Sequence, residues 1–169
     1  MTMKEFLVEE LEREIGRSRR ALEQAPAGKY DWKPHERSMG FGPLANMVAT
    51  IPTWVAMIVQ QDELDIAPAN GGQMKQERLD GPEDLLKALE NSAGAAHGAL
   101  EKTTEDYLAT DWKLLAGGKV VLNAPRFRMI QDTYSHWSHH RGQMTVYLRL
   151  MGATVPAIFG PSADDNRFL

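Results

Sequence analysis

The chain contains no cysteine, which excludes disulfides, thiolate metal ligands and a cysteine nucleophile together. It also lacks a surplus of basic charge: 19 Lys and Arg stand against 23 Asp and Glu, a net charge of −4. A protein that neutralises phosphates needs the opposite balance, so nucleic acid is not an expected partner. The longest apolar-rich stretch, 44–59, is interrupted by Asn46, Thr50, Pro52 and Thr53. It falls short of the roughly 20 apolar residues that a membrane helix requires. The first ten residues carry acids where a secretory leader would be basic and then apolar. A cytoplasmic protein without membrane association is the expectation. Glycine-rich phosphate loops, internal repeats and low-complexity tracts are missing as well.

What is present fits one soluble domain, 1–169, with 43% hydrophobic and 25% charged residues. Residues 3–24 place Phe6, Leu7, Leu11, Ile15 and Leu22 at helical spacing, with acids early and Arg17, Arg19 and Arg20 late, as the helix dipole favours. A second helix is expected from about 43 to 64, kinked at Pro52, which lacks the amide proton. A loop rich in Asp, Asn and Gly follows over 65–81. A third helix runs from Pro82 to about Thr103. Gly117 and Gly118 between short apolar runs suggest a small hairpin. The last helix is expected after Asn123 as cap, with Pro125 in its first turn, ending at Gly152. The fold class read from this pattern is all-α: a four-helix bundle, up-down-up-down with a long crossover, with the hairpin before the last helix.

Histidine is scarce, five in the chain, yet three fall within 136–140. His136 and His140 are four apart, one turn above each other on a helix, a spacing that lets two imidazoles ligate one ion. At about 100° per residue they share an arc with Met129, Thr133, Gln143, Met144, Tyr147 and Met151, and so face the bundle interior. His139 falls toward the polar margin. Gln143 is placed to hydrogen-bond a histidine from behind. Asp132 is a candidate to orient His136, and Arg141 to form a salt bridge. Trp54 and Trp137 are candidate pocket walls; for all four tryptophans core packing is the default reading.

The run HWSHHRGQ at 136–143, followed by Tyr147, Arg149 and Gly152, resembles the DinB/YfiT-like family of small bacterial metalloproteins. Ser38 to Gly40, Leu44, Ala45, Val48, Ala49 and the segment from Ile51 to Trp54 extend the similarity upstream. The resemblance implies a four-helix-bundle homodimer that holds a divalent metal, Ni or Zn, with three histidines. His136 and His140 match two of them. The third belongs in a pattern Leu-Ala-x-His-Val-Ala, where this chain reads LANMVA at 44–49, so Met47 occupies the position. A thioether is a poor ligand for Zn²⁺ or Ni²⁺. Asn46 lies about 100° round the helix from it. His35 sits in the loop before the second helix, and His97 suits a packing or surface role on the third.

The expected site is therefore a degenerate metal site: His136 and His140, with Met47, His139 and Gln143 around or behind them, and a metal bound weakly or not at all. The family implies a metal-dependent enzyme, a hydrolase or thiol S-transferase acting on a small molecule. The alternative is a non-catalytic, small-molecule-binding or stress-associated bundle that has lost its metal.

Overall fold

The computed structural model describes residues 1–69, 71 and 77–167. Of the loop expected over 65–81, positions 70 and 72–76 lie outside the described residues.

The first helix, α1 (Met3–Leu22), is started by Thr2, whose side chain accepts from the Glu5 amide while the Glu5 carboxylate accepts from the Thr2 amide. This reciprocal cap satisfies two otherwise orphaned donors. Its buried stripe is Leu7, Leu11, Glu14, Ser18 and Leu22, and Phe6 is exposed. The apolar residues alone thus misplaced the face slightly: a glutamate and a serine belong to it.

The second helical region is two helices, α2 (Phe41–Thr50) and α3 (Pro52–Gln60), bent by 48°. Pro52 opens α3, where its missing N–H costs nothing. The pair starts at Phe41, because Gly42 packs under Tyr30: a Cβ there would lie 2.1 Å from the Tyr30 ring. α3 ends at Gln60, short of the expected 64, since the next residues enter a strand. The third long helix, α4 (Pro82–Lys102), matches its expected span, and a single turn, α5 (Glu105–Leu108), follows.

The all-α expectation requires correction. Strands β1 (Glu63–Asp65), β2 (Asp111–Ala116) and β3 (Lys119–Pro125) form a three-stranded mixed sheet, β1 parallel and β3 antiparallel to β2. The turn glycines carry φ of +60° at Gly117 and +75° at Gly118, as a tight hairpin turn requires. Asp65 accepts from both their amides, at 3.0 and 2.7 Å, and so ties β1 to the turn. A strand of three residues in a polar loop carries too little alternation to be seen in sequence.

The last helix, α6 (Arg126–Leu150), begins later than expected. Asn123 and Pro125 belong to β3, and Asn123 donates to Asp111 rather than capping. Arg126 is 1% exposed and acts as a post between elements. It donates to the Gln61 and Asp111 carbonyls, the Thr110 and Tyr107 hydroxyls and the Asp62 carboxylate, at 2.6–3.1 Å. The end of α3, the start of β2 and the start of α6 are thereby held together. α6 packs on α1, α2 and α3, and the core runs continuously through Leu11, Leu44, Val48, Val55, Leu89 and Trp137. No single helix among the described residues is long and apolar enough to cross a membrane.

Candidate functional site

α6 delivers its side chains to two surroundings. Toward α2, Trp137 is fully buried and its indole N–H donates to the Val48 carbonyl at 2.7 Å. This residue is core and is not among those that line the cavity beside His136. Toward α1, Arg141 is 1% exposed and donates to Glu14 at 2.5 Å and Ser18 at 3.1 Å, with Ser138 at 3.2 Å. Arg17 pairs with the other Glu14 oxygen. Glu14 thus carries a guanidinium on each oxygen, a buried tie between α1 and α6 that reads as structural.

The histidines stand one residue before each of these core groups. His140 is buried and His136 half-buried, and their Nε2 atoms are 2.7 Å apart. His140 Nδ1 is 3.0 Å from Gln143 Oε1, and Gln143 Nε2 is 3.0 Å from His139 Nε2. An amide oxygen only accepts, so the His140 proton resides on Nδ1. A neutral imidazole has a single N–H, which leaves His140 Nε2 bare and makes His136 Nε2 the donor to it. His136 Nδ1 then carries a free lone pair, and among the described residues nothing donates to it. The exposed end of the chain is His139, whose Nε2 accepts from the glutamine.

Both imidazoles are biased toward the neutral form. Burial, then His140 and His139, hold His136 below the ordinary histidine value. Burial likewise lowers His140, against an opposing contribution from the Gln143 hydrogen bond. A second imidazolium beside the first in a partly desolvated site is unfavourable.

Beside His136 lies a cavity of about 230 Å³. Trp54, Met57 and Ile58 of α3 form one wall, and Met129, Asp132 and Thr133 of α6 another, next to His136. The sheet closes it with Trp112 and Leu114, which share a face of β2, and with Leu122, the cross-strand partner of Leu114. Trp54 stands 5.3 Å from His136, ring to ring. The hairpin is therefore part of the site. Its contribution escaped the sequence reading, where Trp112 looked like ordinary core. Only the alternation of Trp112 with Leu114 hinted at a one-sided strand. Asp132 is exposed on the cavity wall.

The remaining candidates are dispersed. Met47 is half-buried on α2 and packs against the core. Asn46 is buried and donates to the Glu77 carbonyl at 2.5 Å. His35 is exposed and accepts from the Arg37 amide at 3.2 Å. His97 pairs with Glu12 at 2.7 Å on the α1–α4 side.

A divalent ion does not fit this donor set. Among the described residues no third His, Cys, Asp or Glu joins the pair to make a metal-holding group. Two nitrogens on one tetrahedral Zn²⁺, with bonds of about 2.0–2.1 Å, sit roughly 3.3 Å apart. At 2.7 Å the two Nε2 atoms share a proton instead.

Comparison with known proteins agrees with this architecture. The crystal structure of a DinB-like protein from Bacillus cereus superposes with a TM-score of 0.72 at 20% identity, over 92% of this chain and 97% of that one. A DinB-like protein of Bacillus subtilis, YjoA, gives 0.66 at 23% identity, over 88% of this chain and 93% of the other. These two show the fold. In sequence, the uncharacterized protein YrdA of Bacillus subtilis strain 168 is 44% identical over 41 residues, 24% of this chain and 25% of that protein's length. The family model described as DinB family matches residues 1–166, from the Thr2 cap through the histidine helix and into the tail. On that match, spanning every element that builds the histidine cavity, the chain belongs to the DinB family.

Proposed function

We propose that this protein binds a small molecule in the cavity beside His136 without a metal ion, His136, backed by His140, serving with Asp132 as the polar end of a largely apolar pocket. The observation that carries the reading is the direct Nε2 to Nε2 contact of 2.7 Å, beside a cavity of about 230 Å³. Deep, largely apolar concavities with few polar groups are the usual form of small-molecule sites. A neutral imidazole in that wall, that of His136, offers a hydrogen bond without the desolvation cost of a buried charge. The reading takes α1, the bent α2–α3 pair, α4 and α6 as the four members of a bundle that presents the pocket. It includes the cytoplasmic location expected from the sequence and the homodimer that the family resemblance implies.

Metal analysis and ligand binding on untagged protein test this reading. The expected result is less than stoichiometric Zn and Ni, and tryptophan fluorescence that responds to a bound small molecule equally with and without chelator. A ligand response abolished by chelator overturns it.

The second reading is the metal-dependent hydrolase or thiol S-transferase that the family resemblance implies. The convergence of two imidazole nitrogens favours it. It requires that added Zn²⁺ or Ni²⁺ bind at one ion per chain and that His136→Ala remove the ion.

A further inference from the structure

The cavity wall is selective, and it restricts the class of molecule that enters. Apart from Asp132, Thr133 and His136, the residues that form it are apolar or aromatic. The Thr133 hydroxyl is spent on the Met129 carbonyl at 2.9 Å. The indole N–H of Trp112 is buried away from the cavity space and has no acceptor among the described residues. What remains for a ligand's polar end is His136 and the exposed Asp132. His136 has one hydrogen-bonding position left, the Nδ1 lone pair, because its Nε2 is engaged with His140 at 2.7 Å. Asp132 is also an acceptor and carries a negative charge. Both groups call for a donor, and the carboxylate disfavours an anion.

Size narrows the class further. An apolar cavity on the order of 150 Å³ takes up benzene. The cavity here is about 230 Å³, room for one ring with a substituent. Trp54, Trp112 and the thioethers of Met57 and Met129 are polarisable surfaces suited to an aromatic body.

We infer that the pocket takes a neutral one-ring aromatic molecule carrying a hydroxyl, the ring against the indoles and thioethers and the hydroxyl donating to His136 Nδ1. This rests on the reading of the cavity as a metal-free binding pocket and adds the ligand class to it.

Phenol, anisole and benzoate are the probes, titrated into the full chain labelled with ¹⁵N and followed at the indole and imidazole nitrogens. Phenol is expected to shift the Trp54 and Trp112 signals and to move His136 Nδ1 away from its free-lone-pair position. Anisole has the same ring without the donor and is expected to bind about tenfold more weakly, the usual size of one hydrogen bond to a neutral group. Benzoate is expected not to bind. In His136→Phe the phenol and anisole affinities converge. Should that variant not fold, the Nδ1 shift in the unsubstituted protein decides the question alone. Equal affinity for phenol and anisole, an unmoved Nδ1 under saturating phenol, or benzoate binding as well as phenol overturns the assignment. If in those cases the two indole signals still respond, the pocket reading survives the loss of its ligand class. If neither indole responds to any of the three probes, the assignment fails, and if the probes bind only after Zn²⁺ is added, the pocket reading fails with it.

Discussion

Arg141 and His140 are neighbours on α6, both buried, and their surroundings differ completely. Arg141 donates to Glu14, Ser18 and Ser138, and the same carboxylate also holds Arg17. Arg141 is held by side chains of α1 and α6, and it also borders a smaller cavity of about 140 Å³ beside Phe159. His140 meets its needs through Gln143 and His136, and the chain of bonds ends at His136, which lines a cavity. A closed network specifies how α1 packs on α6. An open one, at the edge of empty space, is built to be completed by something else. Polarity inside a helical core therefore has two meanings, and the count of partners tells them apart.

The largest effect should come from breaking the closed network. Glu14→Ala strands two arginines, one of them 1% exposed, and is expected to destabilise the fold by about 3–5 kcal/mol, the range for removing one partner of a buried pair. Urea unfolding measures it, and a loss under about 1 kcal/mol would mean the network is dispensable. Trp137→Phe comes next: it removes the donor to Val48 and leaves a gap in the core, at a cost of about 1–3 kcal/mol by the same assay.

The open network should respond to pH instead. His136 and His140 lie below the ordinary histidine value of 6.5 when folded. Above that value both states are neutral and the pair contributes nothing to pH dependence. As pH falls through 6.5 the unfolded chain takes up protons that the folded one resists, so stability drops until the depressed folded values are reached. Urea unfolding between pH 7.5 and 5 is expected to show this loss in the unsubstituted protein. It should be diminished in His136→Gln/His140→Gln. An identical slope in both proteins would mean that the pair is not desolvated. The smallest effect belongs to His139→Ala. The residue is exposed at the solvent end of the chain, and its removal is expected to change stability by less than about 0.5 kcal/mol.

Much of this was legible in the sequence because helical periodicity is long-ranged. The break at Pro52, the span of α4 and the glycine hairpin all followed from spacing or from backbone chemistry. The buried face of α6, by contrast, is rotated from the expected arc: Tyr134, Trp137 and Arg141 are at its centre and Gln143 is exposed. The rest depended on distant partners. Glu14 and Ser18 join a buried stripe only because Arg141 meets them across 127 and 123 residues. β1 is three residues long and exists through its pairing with β2. Asn123 and Pro125 look like a helix start by local preference, yet pairing with Lys113 and Asp111 of β2 draws them into β3. For the site, the histidine pair and Gln143 were visible as a motif. The cavity was not, because its walls come from α3, β2, β3 and α6, and no local pattern records that four elements leave a space between them.

The central claim is that His136 and His140 bond to each other through a shared proton. The imidazole ¹⁵N spectrum of chelator-treated, untagged protein near pH 7.5 reads it directly. Opposite tautomers are predicted, with the proton on Nε2 of His136 and on Nδ1 of His140, unchanged by one equivalent of Zn²⁺. Both residues protonated at Nδ1, with both Nε2 signals moving to metal-bound positions when the Zn²⁺ is added, would contradict it.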